Sequence, residues 1–356
     1  MADPKARSLD AQSLVEKKLP ELATLERLIR SLRLRTNVAI DFRVEATVSH
    51  GELELPIHSL VIGASDKTLP CLAVVGGVHG LERIGSEVVI SWLQTVSELL
   101  TWDDGFRERL KHSRLAFLPI ANPIGMFLTK RSNGNGVDLM RNAPVDADEQ
   151  PAFLLGGHRI SRRLPWFRGQ SDGPQGMEAE ARALCEFISR EVFPSRCALS
   201  VDVHSGFGSV DRLWFPYART SEPPPQISEV MALKRLFDRS YPNQFYRIEP
   251  QTEAYTTHGD LWDWLYDMKR ERGVYIPWTL ELGSWIWLKK NPRQMFSSLG
   301  PFNPQQPHRR QRILRRHLTL FDFLHRAVLN SEPWCEVEDK EILRERAMEM
   351  WYDRTR

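Results

Sequence analysis

The sequence predicts an α/β fold: a three-layer α/β/α domain built on one central sheet. Three observations predict it. Short apolar runs of strand length alternate with longer segments of helical period. Two of those runs, Leu72–Val75 and Leu115–Leu118, are apolar throughout, as strands covered on both faces are. The chain has 356 residues, 42% of them hydrophobic, enough for a large core, and no internal repeat divides it.

The elements follow in order. Residues 8–35 carry Leu14, Leu19, Leu22, Leu25, Leu28, Ile29 and Leu32 at helical spacing, interrupted at Pro20. This amphipathic stretch is expected to pack on the main domain. Residues 38–62 alternate apolar and polar, which predicts a strand pair turning near Gly51. Leu72–Val75 is a strand, Gly76–Gly80 a turn, and a helix runs from about Glu82 to Thr101. Leu115–Pro119 is a strand that enters a turn at Asn122-Pro123-Ile124-Gly125. Residues 125–173 are rich in Gly and Pro and read as loop, of a length that is usually either functional or disordered. Helix is expected over Met177–Phe193, Glu229–Tyr241, Leu261–Arg270 (with Asp260 as N-cap) and Arg309–Leu329. Strands are expected over Ala198–Val203, Leu213–Pro216 and Tyr275–Leu282. The division is a helical extension over 1–36, one domain over 37–330, and a charged, peripheral tail over 331–356.

Lys plus Arg number 48 against 46 for Asp plus Glu, a net charge of +2, which gives no support for nucleic acid or an anionic membrane as partner. Arg309, Arg310, Arg312, Arg315 and Arg316 read as a solvated helix face. Cys71, Cys185, Cys197 and Cys335 form no CxxC pair and read as free thiols. The N-terminal stretch lacks the apolar core of a secretory signal, and no run of about 18 apolar residues exists. A cytoplasmic protein is expected, with its oligomeric state open.

The turn after Leu72–Val75 holds His79 and Glu82, three residues apart, where the ligand crevice of an open α/β sheet lies. A neutral imidazole and a carboxylate are two of the three protein ligands of a catalytic zinc site. His204 closes another strand and offers a third ligand. A lone histidine at a strand end is as readily structural; the company of His79 and Glu82 favours the ligand reading. Two His and one Glu leave a fourth zinc position for water. Glu281 stands in an otherwise apolar strand, placed either as a base for that water or, by simple alternation, facing solvent. Arg131 and Arg141 flank a turn-rich loop; guanidinium groups suit a substrate carboxylate or an oxyanion, although a single loop arginine is more often just solvated. The GxGxxG spacing of dinucleotide sites is absent.

Together these segments resemble the zinc metallocarboxypeptidase family, the carboxypeptidase A/B-like peptidases. The matching pieces are His79-Gly80-Leu81-Glu82, Asn122-Pro123-x-Gly125, Arg131-x-Asn133-x-Asn135-Gly136-Val137-Asp138-Leu139-x-Arg141-Asn142, Val203-His204-Ser205, Tyr255 with Asp263-Trp264-x-Tyr266, and Thr279-x-Glu281-x-Gly283, in the family's order over about residues 70–290. The resemblance implies a mixed, twisted central sheet and one zinc ion on His79, Glu82 and His204. It implies Glu281 as general base and acid, and Arg131 as the group that polarises the scissile carbonyl. Arg141 would meet the substrate's terminal carboxylate, Asn142 beside it would also bind substrate, Tyr255 would close over the substrate, and Trp262 would line the side-chain pocket. Met140 stands where the family has Asn, and a thioether donates no hydrogen bond. The implied activity is release of a C-terminal residue from a peptide. The alternatives are a zinc deacylase of N-acyl amino acids, similar to succinylglutamate desuccinylase and aspartoacylase, and a non-catalytic binding module on the same fold.

Overall fold

The computed structural model describes residues 13–35, 37–171, 173–269 and 273–353. Residues 1–12 of the expected extension, Arg270 at the end of an expected helix, and residues 354–356 lie outside them.

One mixed sheet of eight strands organises the chain. In chain order these are β1 (Ile40–His50), β2 (Leu53–Gly63), β3 (Cys71–Gly76), β4 (Arg114–Leu118), β5 (Cys197–Ser205), β6 (Arg212–Phe215), β7 (Arg247–Pro250) and β8 (Val274–Leu282). Their order across the sheet is β1-β2-β4-β3-β5-β8-β6-β7. β4, β3, β5 and β8 run parallel in the middle, and antiparallel pairings attach β2 and β6 to them. β3, β4 and β5 are buried at every residue, the burial expected of central strands covered on both faces.

The helices are α1 (Pro20–Leu32), α2 (Arg83–Trp102), α3 (Asp104–Leu110), α4 (Pro123–Leu128), α5 (Ala179–Glu191), α6 (Ile227–Ser240), α7 (Leu261–Lys269), α8 (Trp285–Lys290), α9 (Pro307–Arg316), α10 (Leu318–Leu329), α11 (Glu332–Cys335) and α12 (Lys340–Trp351). α2 lies across β3 and β5 and meets α10, where the Trp92 and Phe321 rings stack with centroids 4.9 Å apart. α5 and α7 supply the other helical layer. The approach of α2 to β5 requires Gly85: a Cβ there would lie 2.3 Å from the Val203 carbonyl oxygen. That contact brings the start of α2 beside the end of β5.

α1 buries Leu22, Leu25, Ile29 and Leu32 against the domain. Its Glu21 accepts Arg83 Nε at 2.9 Å, at the first residue of α2. Asp260 caps α7, accepting from the backbone N–H groups of Trp262 and Asp263 at 2.9 and 3.0 Å. The single helix expected over 309–329 is two, α9 and α10, parted at His317. β7, α3 and α8 were not anticipated, being too short to show a period.

The tail is not peripheral. Trp334 is fully buried and donates its indole N–H to the Ala327 carbonyl at 2.9 Å. Trp351 packs on Phe215 and donates to the Ile248 carbonyl at 2.9 Å, which covers the β6–β7 edge. Charge hid this: the residues that pack are few, wide and set among Glu, Lys and Arg. No helix among the described residues is long and apolar enough to cross a membrane.

Candidate active site

The site grows from three neighbouring strand ends. β3, β5 and β8 lie side by side and run parallel, so their C-terminal ends share one edge. The chain leaves β3 through Gly77–Glu82 before α2 begins, which places His79 and Glu82 at that edge. His204 is the penultimate residue of β5, and Glu281 of β8 pairs directly opposite it. Asn122 locks the turn: its Oδ1 caps α4 by accepting the Gly125 N–H at 2.8 Å, and its Nδ2 donates to the Val78 carbonyl at 3.1 Å.

His79, Glu82 and His204 are all buried, and their ligand atoms lie within 4.8 Å of one another. The two Nδ1 atoms are 3.2 Å apart, while Glu82 Oε1 lies 2.9 Å from His79 Nδ1 and its Oε2 3.0 Å from His204 Nδ1. Two nitrogens bound tetrahedrally to one zinc would be separated by about 3.3 Å. The outer nitrogens are both held by carboxylates: His79 Nε2 is 3.0 Å from Asp138 Oδ1, and His204 Nε2 is 2.6 Å from Asp202 Oδ2. A carboxylate only accepts, so each Nε2 carries a hydrogen; in the neutral form that binds a metal, each ring would turn its Nδ1 lone pair inward. Three lone-pair donors converging on one buried point are the donor set of a zinc ion with an open fourth position.

The electrostatics follow from burial among charges. Burial works against ionisation of Glu82, but the charge of His79 and the His204 hydrogen bond hold it well below the usual carboxylate range. Burial also opposes charge on His204, and Asp202, then Glu82, raise it well above an ordinary histidine. Asp138 is likewise held low, burial being overcome chiefly by the Arg131 charge. Glu281 moves the other way: burial first, and the Glu82 charge second, push it up to about 8. Its Oε1 accepts the Phe207 N–H at 2.9 Å.

Arg131 reaches the edge of the cluster, donating from Nε to Asp138 Oδ2 at 2.8 Å and from Nη1 to Glu82 Oε1 at 3.2 Å. Arg141 is 2% exposed, donates from Nη1 to the Met140 carbonyl at 3.1 Å, and leaves its buried Nε without a partner. The half-buried Tyr255 ring lies 5.9 Å from its guanidinium and packs edge-on against Phe207. An underused buried cation beside an aromatic ring suits an incoming carboxylate.

Asn142 and Trp262 sit elsewhere than expected. Asn142 does not face a substrate: its amide donates to the Arg168 carbonyl at 2.9 Å and its oxygen accepts the Glu178 N–H at 2.6 Å, tying the loop together. Trp262 is 3% exposed and its indole N–H donates to Asp202 Oδ2 at 2.8 Å, so it braces the partner of His204 instead of lining a pocket. Met140, in the position of the missing Asn, is buried in the hydrophobic core. Asp138 lies in a motif and Asp202 in an expected strand, and the sequence alone assigns a role to neither. The signal for Asp202 was present: in Asp202-x-His204, strand alternation puts both side chains on one face.

The comparisons with known proteins agree with this geometry. A family model described as zinc carboxypeptidase matches residues 14–285. Carboxypeptidase E of Caenorhabditis elegans is 29% identical over 143 residues, 36% of this chain and 27% of that protein. Carboxypeptidase SOL1 of Arabidopsis thaliana is 23% identical over 232 residues, 62% of this chain and 41% of that protein. The chain therefore spans less than half the length of these curated relatives. Among solved structures, thrombin activatable fibrinolysis inhibitor superposes with a TM-score of 0.63 at 16% identity, covering 85% of this chain and 72% of that one. Carboxypeptidase A from Helicoverpa armigera superposes with a TM-score of 0.58 at 17% identity, covering 87% and 72%. At these identities the structural likeness is one of fold.

Proposed function

This chain belongs to the zinc carboxypeptidase family, and from that premise we propose that it hydrolyses peptides, releasing the C-terminal residue. The observation that carries the reading is the convergence of His79, Glu82 and His204 with Glu281 paired opposite His204. Bound zinc supplies a Lewis acid and lowers the pKa of a water. The chain's own residues do the rest. Asp138 and Asp202 orient the two imidazoles. The Phe207 N–H fixes Glu281 Oε1, so Oε2 takes the proton of the attacking water and passes it to the leaving nitrogen. The raised affinity of Glu281 for a proton, which comes from burial and then the Glu82 charge, favours that role. Arg131, kept cationic by Asp138 and Glu82, meets the negative charge that develops on the carbonyl oxygen. Arg141 takes the terminal carboxylate, and Tyr255 packs over the bound residue.

Removing zinc with a chelator is expected to abolish cleavage of short peptides, and adding zinc back to restore it. Glu281→Gln is expected to keep the metal and lose at least about a hundredfold in kcat. Near-normal turnover by that variant would remove Glu281 from the mechanism. Small N-acyl amino acids assayed alongside test the deacylase alternative, and preferential cleavage of these would overturn the peptidase reading.

A further inference from the structure

A cavity of about 670 Å³ opens beside Arg131. His50, Lys130, Arg131, Arg162 and Arg163 line it, and Asp138 is the one acidic residue among its lining. Asp138 is already engaged by Arg131 and His79. Lys130, Arg162 and Arg163 are exposed and make no ion pair among the described residues. Arg141 does not line this cavity.

The two arginines sit on a loop closed by a parallel bridge between His158 and Phe167. His158 N–H donates to the Trp166 carbonyl at 3.1 Å, and Arg168 N–H returns to the His158 carbonyl at 2.8 Å. The His158 ring lies within the loop, with Nε2 2.7 Å from the Pro165 carbonyl and Nδ1 accepting the Ile160 N–H at 3.1 Å. This loop is tied to the site by the Asp138 N–H, which donates to the Phe167 carbonyl at 2.8 Å. Gly136, at φ +82, lets it close in: a Cβ there would lie 2.9 Å from the Arg162 carbonyl oxygen. The loop over 158–168 thus brings Arg162 and Arg163 to the cavity beside Arg131.

We propose that this cavity is a subsite for acidic residues immediately before the scissile bond, so that the preferred substrate is a peptide with Asp or Glu there. The proposal rests on the peptidase reading. With the terminal carboxylate at Arg141 and the scissile carbonyl at Arg131, the preceding residues run past Arg131 and enter this cavity. Carboxylates there would meet Lys130, Arg162 and Arg163, which make no ion pair among the described residues. The cluster is small, and the chain's net charge of +2 gives no footprint for an extended polyanion.

The test uses two peptides that share a C-terminal residue and differ in carrying Glu-Glu or Gln-Gln before the scissile bond. The zinc-loaded enzyme is expected to favour the acidic peptide in kcat/KM by about tenfold at low salt, for three partly exposed ion pairs. The preference should shrink in about 0.5 M salt. It should fall towards one in R162Q/R163Q and return in R162K/R163K; Lys130→Gln, on a different segment, should reduce it independently. Binding of the same peptides to Glu281→Gln, followed by fluorescence anisotropy, needs no turnover. Equal cleavage of both peptides with no salt dependence overturns the subsite and leaves the peptidase reading standing. Cleavage of neither, with the acidic peptide still bound more tightly, overturns the peptidase reading and with it the placement before a scissile bond, leaving a site that only binds acidic peptide. Binding of a short oligonucleotide in place of either peptide, lost in R162Q/R163Q, would also overturn the proposal.

Discussion

His204 Nε2 lies 2.6 Å from Asp202 Oδ2, and that same oxygen accepts the Trp262 indole N–H at 2.8 Å. Asp202 Oδ1 is buried without a partner, so the indole is what fixes the carboxylate against the histidine. The chain of contacts from a helix residue to the ring it orients makes Trp262 a positioning residue for the metal. Partners behind a ligand commonly change metal affinity 10- to 100-fold. One step further out, Trp262→Phe is expected to weaken zinc binding by about tenfold, and Asp202→Asn by more. Competition against a chromogenic chelator measures both without reference to turnover. An unchanged Kd in Trp262→Phe would reduce the indole to filler. Of the individual residues, His79, Glu82, His204 and Glu281 could be picked out in the sequence because imidazole and carboxylate are rare in apolar strand ends. Asn142 and Trp262 could not be placed, because a hydrogen bond to a remote backbone or side chain leaves no local trace.

At the scale of elements, the arrangement that matters is β3, β5 and β8 as parallel neighbours. A one-residue slip of β8 against β5 would turn Glu281 to the opposite face of the sheet. The burial of β8 resists such a slip, since the shift would expose Leu280 and Leu282, both fully buried. α1 supports the start of α2 through Glu21 and Arg83 and through its leucine face. Leu25 is fully buried at that contact. Leu25→Ala is expected to cost about 2–5 kcal/mol of stability, read from denaturant unfolding. A loss within about 0.5 kcal/mol would show that α1 docks only loosely. The α1 period and the α2 period were legible in the sequence, as were the strands that bracket the turns. The β6–β7 edge was only half visible, because four-residue strands carry too few residues to distinguish alternation from chance.

For the whole molecule, stability against acid should depend on a histidine far from the metal cluster. His325 on α10 accepts or donates to Ser113 Oγ at 2.8 Å and has a buried Nδ1 with no partner. Burial first, then the positive charges of Arg109 and Arg326, lower its pKa to about 3. An unfolded histidine takes its proton near 6.5, so between about 6.5 and 3 the unfolded chain binds a proton that the native state refuses. Stability from this group is therefore present above that window and is lost as pH falls, at about 1.4 kcal/mol per pH unit. Unfolding midpoints at pH 7.5 and 5.5 check it: the drop should be smaller in His325→Gln. An equal drop in both proteins would assign the acid sensitivity to other groups. At this scale, too, the tail belongs with the body, since Trp334 and Trp351 close surfaces that α10 and the β6–β7 edge would otherwise expose.

The sequence by itself determined the fold class, the three strand ends that carry the chemistry, and the residue types gathered there. Periodicity and turn residues act over a few positions and are written locally. Only the tertiary structure decided that Asp138 aims the His79 imidazole, that Trp262 lies behind Asp202, that Asn142 is a loop tie, and that Arg162 and Arg163 share a cavity with Arg131. The hydrogen bonds among those relations join residues 26 to 60 positions apart. They depend on which strands become neighbours and at what register, which is settled by burial of the whole core and not by any one segment.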